Sequence, residues 1–204
     1  MNGVVERASH PLLAAVREHD EGTYEHCLAV GGYAERIALA IGLDGDRSEL
    51  VGEVGRLHDV GKVAVPLRLL HGRERLTGTD VALMRDHAVV GCCLVSEDQR
   101  LVHLAGFVRA HHERIDGRGY PDGLRGAAIP LESRIVSVAD TFDALTAGRP
   151  YQPSVTVSGA LTIMTATRGL QWDPEIVDVF VRMIEREGQI PRIDRRAQVS
   201  TLER

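Results

Sequence analysis

Apolar residues recur at spacings of three and four along nearly the whole chain, and no segment shows the strict alternation, bounded by turn residues, that marks a half-buried strand. The pattern predicts an all-α fold. A first helix is expected from Ser9, with Pro11 in its opening turn, where a missing N–H is harmless. A second runs from about Thr23, with Cys27, Val30, Ala34, Ile37 and Ile41 on one face, until Gly42 stops it. A third begins near Asp46 or Ser48 and reaches about His58. Thr77 or Thr79 can cap the next, which puts Leu83, His87, Val90 and Leu94 on a common face. Arg100 to His112 repeats the spacing through Leu101, Leu104, Ala105 and Val108. Between Asp116 and Pro130 the chain carries Gly117, Gly119, Gly123 and Gly126 together with Pro121 and Pro130, which predicts a shaped loop. Helices resume at Leu131 to Leu145, Val155 to Arg168 and Pro174 to Arg186, and a polar, arginine-rich tail follows Pro191.

Composition narrows this outline. A chain of 204 residues with 44% hydrophobic positions can bury one substantial core. The expected organisation is therefore a single domain over 1–204, with a lead-in helix in 1–19, a core over 20–190 and a tail over 191–204. No run approaches the roughly eighteen apolar residues of a membrane span, and the first thirty residues lack a basic-then-apolar leader, so a cytoplasmic protein is expected. Cys27, Cys92 and Cys93 are odd in number and lack Cys-x-x-Cys spacing, which argues against a disulfide framework or a zinc ribbon. The net charge of −5 speaks against a duplex nucleic acid partner. Lys62 is the only lysine in the chain, and all the other basic side chains are arginine.

The nine histidines bring in chemistry. His58 and Asp59 are adjacent at a helix end, His111 and His112 at another, His87 and Asp140 lie in or beside apolar stripes, and His26 sits on the apolar side of the second helix. A single histidine of this kind is ordinarily a hydrogen-bonded core or surface residue. Several imidazoles and two carboxylates in one helical core are another matter. A divalent metal both neutralises the carboxylates and accepts the nitrogen lone pairs. A mixed nitrogen and carboxylate set suits iron, manganese, cobalt, nickel or zinc. The candidate ligands exceed what one tetrahedral ion uses, and a carboxylate can bridge, so two ions are expected. Two ions about 3.5–4 Å apart can share a hydroxide and clamp both oxygens of a phosphoryl displacement. Lys62, a turn beyond Asp59, would give a point charge to a phosphate oxygen, although one lysine must sit somewhere.

The order His26, His58-Asp59, His87, His111-His112, Asp140 resembles the HD phosphohydrolase superfamily, with His58-Asp59-Val60-Gly61-Lys62 similar to its signature pair. The run His111-His112-Glu113-Arg114-Ile115-Asp116-Gly117-Arg118-Gly119-Tyr120-Pro121 resembles the HHExxDGxGYP motif of the HD-GYP family, and Ser137 to Thr146 followed by Arg149-Pro150-Tyr151 resembles its C-terminal motif. The resemblance spans about residues 20–185. It implies a bundle of about seven helices with a glycine-rich substrate loop, and hydrolysis of cyclic di-GMP to linear pGpG, with onward cleavage to GMP as the other outcome it allows. It implies two divalent ions, iron or manganese first and cobalt, nickel or zinc next, held by His58, Asp59, His87, His111, His112 and Asp140 with Asp59 as the bridge. His26 is the least secure ligand, because Gly22 stands where some members carry a glutamate for a third metal.

The same resemblance puts Lys62 and Arg149 on phosphate-contacting positions and Gly119, Tyr120 and Pro121 on the loop that lines the substrate. Glu113 and Asp116 are read as groups that orient the histidines and the loop. Gln152 departs from the family, which commonly has a basic residue there. A diguanylate cyclase or other signalling protein is the kind of partner the family allows. Two other readings compete: an HD hydrolase of another phosphorylated nucleotide, a mixed cyclic dinucleotide included, and a cyclic-dinucleotide sensor or adaptor that does not hydrolyse its ligand.

Overall fold

The computed structural model describes residues 10–72, 77–147 and 154–187. Among them are ten α-helices and no strand beyond an isolated bridge between Arg168 and Trp172. Helix α1 is Pro11–His19, with Pro11 at its first position and the His10 ring accepting the Leu12 N–H. Helix α2, Glu21–Ala40, starts before the expected Thr23, because the Asp20 carboxylate accepts the Thr23 N–H at 2.8 Å and caps the helix there. Its inward face is Cys27, Val30, Ala34 and Ile37, as the spacing predicts. Helix α3, Gly45–Leu57, is capped by Asp44.

Helices α2 and α3 meet backbone to backbone. A Cβ on Gly31 would lie 2.9 Å from the Gly52 carbonyl oxygen, and one on Gly55 would lie 2.9 Å from the Gly31 Cα. Any larger residue would force the helices apart, so the glycines set how closely the chain can bring His26 to His58. Their ring centroids are 5.2 Å apart.

After α3 comes a 3₁₀ turn, Val60–Ala64, and the short α4, Leu67–His71. Helix α5, Gly78–Arg85, begins with a reciprocal capping box between Thr77 and Asp80, and α6 is His87–Ser96. One continuous helical face of Leu83, His87, Val90 and Leu94 does not form. The chain changes helix at Asp86, Leu83 is exposed, and the inward residues are His87, Ala88, Gly91 and Val95. The reason is a close approach: a Cβ on Gly61 would meet the His87 carbonyl oxygen at 2.0 Å and the Gly91 nitrogen at 2.5 Å. Only the small-residue side of α6 can take the 3₁₀ turn at that distance.

A 3₁₀ turn, Val102–Leu104, leads into α7, Ala105–Arg109, with Leu101, Leu104, Ala105 and Val108 all buried. His111 and His112 sit on the turn that follows. The expected loop then holds only a short 3₁₀ turn, Gly126–Ala128. Helix α8, Leu131–Thr146, packs against α2 and α3 on one side and, on the other, against α9, Val157–Thr167, and α10, Pro174–Glu187. Tyr33, Phe142 and Phe180 close that side edge to face. The buried Phe142 and Phe180 side chains contribute about 1.5–3 kcal/mol each, and Tyr33 is partly buried against them. Seven of the ten helices have nine residues or more, which is the expected bundle; α4, α5 and α7 are short pieces that periodicity alone does not resolve. No helix among the described residues is long and apolar enough to cross a membrane.

Candidate metal centre

Three of the histidines are aimed by the same local device. His58 is the C-cap of α3, His87 follows the end of α5, and His111 follows the end of α7. The last carbonyls of a helix run out of backbone donors, and a histidine just beyond can supply one. Nδ1 of His58 lies 2.7 Å from the Gly55 carbonyl oxygen, that of His87 2.5 Å from Met84, and that of His111 2.6 Å from Val108. A carbonyl only accepts, so each Nδ1 carries the proton and each Nε2 presents a lone pair. His26 is held differently: its Nδ1 donates to the buried Asp143 carboxylate at 2.9 Å.

The Nε2 atoms converge on Asp59, which is 1% exposed. Its Oδ1 is 3.3 Å from the His87 Nε2, and its Oδ2 is 3.2 Å from the His58 Nε2 and 3.6 Å from the His26 Nε2. Asp140 Oδ1 is 3.0 Å from the His26 Nε2. Two donor groups result, Asp59 with His87, His111 and His112, and His26 with His58 and Asp140. All seven residues expected to converge are therefore in one place. Cys27 is near enough to be a third-party donor to His58 and Asp59, but burial pushes its thiol pKa well up, and the protonated thiol is a poor ligand.

Electrostatics sort the groups. Burial opposes ionisation of Asp59, yet His58, Lys62 and His87 hold its carboxyl well below the usual range, and His26, His58 and His112 do the same for Asp140. Burial pushes His87 and His111 down and takes His112 to about 3, against the pull of Asp140, so these rings are neutral donors at pH 7. Burial also opposes protonation of His26, but Asp140 and Asp143 win and raise it to about 9.

The residues fit a divalent metal pair on local grounds. Nε2 of His87 and of His111 face each other at 3.2 Å although both are acceptors, an arrangement that calls for a cation between or beside them. The Nε2 of His58 and the Oδ1 of Asp59 are buried without a hydrogen bond, whereas the His26 Nε2 is paired with Asp140 and would give up its proton to a metal. Unsatisfied buried lone pairs of this kind cost about 1–3 kcal/mol each unless something coordinates them.

A pocket of about 500 Å³ opens over Asp59 and Asp140. Lys62 lines it, with Nζ 2.5 Å from the Asp59 Oδ2. Gly119 and Tyr120 form its far wall, and the Tyr120 ring lies 4.8 Å from that of His112, centroid to centroid. Gly119 has no room for a side chain, since a Cβ would come within 2.5 Å of the Glu113 Cα and 2.6 Å of the His112 carbonyl oxygen. Pro121 lies beyond, lining an adjoining pocket rather than this one. Arg149 and Gln152 lie outside the described residues.

Glu113 and Asp116 organise the loop and not the histidines, which is a correction. The Glu113 Oε1 accepts the Asp122 N–H at 2.7 Å, while Asp116 pairs with Arg114 and accepts the Arg118 N–H. The histidines are oriented instead by carbonyls and by Asp143, which the sequence reading missed. Its signal was present: Asp143 is three residues after Asp140 on a helix and so shares its face. Arg85, Arg118, Ser137, Thr141 and Gln171 also line the pocket and were not foreseen.

A family model described as the HD domain matches residues 8–176. The chain belongs to the HD domain family. Within that family it is similar to the cyclic di-GMP phosphodiesterase response regulator RpfG of Xanthomonas campestris pv. campestris, with 39% identity over 187 residues covering 89% of this chain and 50% of RpfG. It is also similar to the 3′3′-cGAMP-specific phosphodiesterase 2 of Vibrio cholerae, with 35% identity over 172 residues covering 83% of this chain and 33% of the relative. The chain thus spans half or less of the length of these relatives. In fold it matches the crystal structure of the cyclic GMP-AMP specific phosphodiesterase V-cGAP3 of V. cholerae, with a TM-score of 0.66 at 19% identity over 89% of this chain and 48% of that one. An HD domain binds divalent metal, and the two donor groups around Asp59 are where this one would do so.

Proposed function

We propose that this HD domain is a metal-dependent phosphodiesterase that opens cyclic di-GMP to linear pGpG. The observation that carries the reading is Asp59, whose two oxygens face two separate donor groups on the floor of a pocket walled by the glycine-rich loop. Relatives named for cyclic di-GMP and for 3′3′-cGAMP supply the substrate class. Asp59, His87, His111 and His112 would hold one ion, and His26, His58 and Asp140, with the second oxygen of Asp59, the other. Iron or manganese suits this mixed imidazole and carboxylate set. When bound, the pair would supply Lewis acidity toward a phosphate oxygen and a lowered pKa for water.

The chain's own groups do the rest. Three carbonyl anchors and Asp143 keep four of the five imidazoles, those of His58, His87, His111 and His26, in one orientation. Lys62, which lines the pocket, meets a non-bridging phosphate oxygen when the Asp59 carboxylate is otherwise engaged. Arg149 is assigned to the second phosphate by the resemblance. Burial and the nearby Asp59 and Asp140 keep the Tyr120 phenol protonated, so it acts as a neutral hydrogen-bonding group and not as a phenolate. Arg85, 5.0 Å over the Tyr120 ring, and the exposed Arg118 add positive charge at the rim for a dianionic ligand.

The test is conversion of cyclic di-GMP by protein loaded anaerobically with Fe²⁺ or Mn²⁺, followed by chromatography of the products. Turnover is expected from the wild type and none from Asp59→Ala; full activity in that variant overturns the shared-carboxylate centre. The mixed dinucleotide 3′3′-cGAMP is the second reading, favoured by the Vibrio relative, and belongs in the same panel. Tight binding without turnover by fully loaded protein would instead identify a sensor.

A further inference from the structure

A second pocket, of about 330 Å³, lies beside the first and shares Arg85 and Tyr120 with it. Its lining is mixed: Val81, Ala82 and Val89 come from α5 and α6 and Tyr120 and Pro121 from the loop, beside polar groups. At its edge stand two adjacent side chains of opposite charge, Arg85 and Asp86. Arg85 is held over the Tyr120 ring, 5.0 Å from its centroid, which fixes the guanidinium at the boundary between the pockets. Asp86 occupies the N-cap position of α6, yet its carboxylate makes no capping hydrogen bond. The break between α5 and α6 that spoils the expected continuous helix is what turns this pair toward the loop.

A pocket with an apolar wall, a donor fork and a carboxylate that caps no helix side by side is a chemical description of a guanine site. Guanine presents O6 as an acceptor next to N1–H and the exocyclic amine as donors. Adenine presents the reverse at the same edge, an amine where guanine has O6 and a bare N1 where guanine has N1–H. An arginine and an aspartate in a row would welcome the first and repel the second.

We propose that this side pocket is the base-recognition subsite, in which Arg85 donates to O6 of one guanine, Asp86 accepts from its N1–H and amine, and the base lies among Val81, Val89 and Pro121. The inference rests on the cyclic-dinucleotide reading and adds to it the groups that select guanine over adenine. It also assigns the loop a second task, since Tyr120 lines both pockets and Pro121 the second.

The experiment compares kcat/KM and equilibrium binding of manganese-loaded wild type and Asp86→Ala for cyclic di-GMP and cyclic di-AMP. Loss of a hydrogen-bond acceptor of full charge predicts a fall of about tenfold to a hundredfold for cyclic di-GMP and an unchanged or improved value for cyclic di-AMP. Because the Asp86 carboxylate caps nothing, the thermal unfolding midpoint should not move. A cyclic di-GMP to cyclic di-AMP ratio that stays within twofold of wild type overturns the subsite, and so does an equal loss on both ligands. A wild type that neither binds nor cleaves any cyclic dinucleotide overturns the functional reading itself, and this inference with it.

Discussion

Replacing Asp143 should uncouple the two halves of the metal centre. Asp143 is 2% exposed and accepts the His26 Nδ1–H at 2.9 Å, while His58, His87 and His111 are anchored by backbone carbonyls that no side-chain change removes. In Asp143→Ala the His26 ring loses what fixes its tautomer, and a buried donor is left unpaired at a cost of about 1–3 kcal/mol of folding stability. Losing the partner of a ligating histidine typically weakens metal affinity about 10–100-fold, which is about 1.4–2.7 kcal/mol. The loss should fall on the ion held by His26, His58 and Asp140 and spare the one held by Asp59, His87, His111 and His112. Competitive titration with a chromogenic chelator, together with metal content per chain by mass spectrometry, reads both ions. Two classes of site should appear, one near wild-type affinity and one weaker. Asp143→Asn keeps an amide oxygen for the Nδ1–H and should recover most of the second class. Two ions bound to Asp143→Ala with wild-type affinity, or equal weakening of both, would refute the assignment of Asp143 as the anchor of one half.

Two further outcomes follow from the geometry. Gly119→Ala forces a Cβ to within 2.5 Å of the Glu113 Cα and the Arg114 nitrogen, so the loop must lift; about 1–3 kcal/mol of stability and most cyclic di-GMP turnover should be lost while two metals still bind, as measured by urea unfolding, product release and metal content. Asp20→Ala removes the α2 cap and should cost about 1 kcal/mol at pH 7 by urea unfolding. Burial opposes its ionisation, but the Thr23 hydroxyl and N–H, with His71 and His19, depress the Asp20 carboxyl below its ordinary value. The cap's contribution is therefore full above the unfolded value of about 3.9 and fades as pH falls through the lower folded value, so the difference between variant and wild type should shrink in acid; a constant difference from pH 7 to pH 2 would refute it.

The bundle was legible because its long helices carry strong apolar periodicity, and the convergence of donors because His58, His87, His111 and His112 sit at or just beyond helix ends while His26 and Asp140 lie on long helices that pack together. His58 and His111 were each placed beside a helix terminus from the sequence, and there the structure finds their carbonyl anchors. What the sequence hid were effects of close approach. The glycine contacts of Gly61 with His87 and Gly91 decide which face of α6 turns inward, and they overrule the larger residues Leu83, Val90 and Leu94. Asp143 was overlooked for another reason: its spacing puts it on the face of Asp140, but only the fold shows it buried and in reach of His26. Arg85 and Asp86 are exposed and aperiodic, and only the turn between α5 and α6 brings them to the loop.

The anchoring scheme also explains which parts of the centre can vary. Nδ1 of His58, His87 and His111 each bonds a carbonyl three residues earlier, so the orientation of those rings depends on where a helix stops and not on any partner's identity. Two of the neighbouring residues, Gly55 and Gly61, are also positions where a Cβ would strike backbone, at 2.9 Å and 2.0 Å. The ring positions are thus built from backbone packing, which single substitutions break or leave alone but cannot adjust. His26 is the exception. Its anchor is a side chain on α8, the helix that also carries Asp140, so the second donor group depends on how α8 sits against α2. Changes in α8 packing, at Phe142 or Tyr33 for example, should therefore disturb the donor group of His26, His58 and Asp140 more than that of His87 and His111, whose rings are anchored by backbone carbonyls.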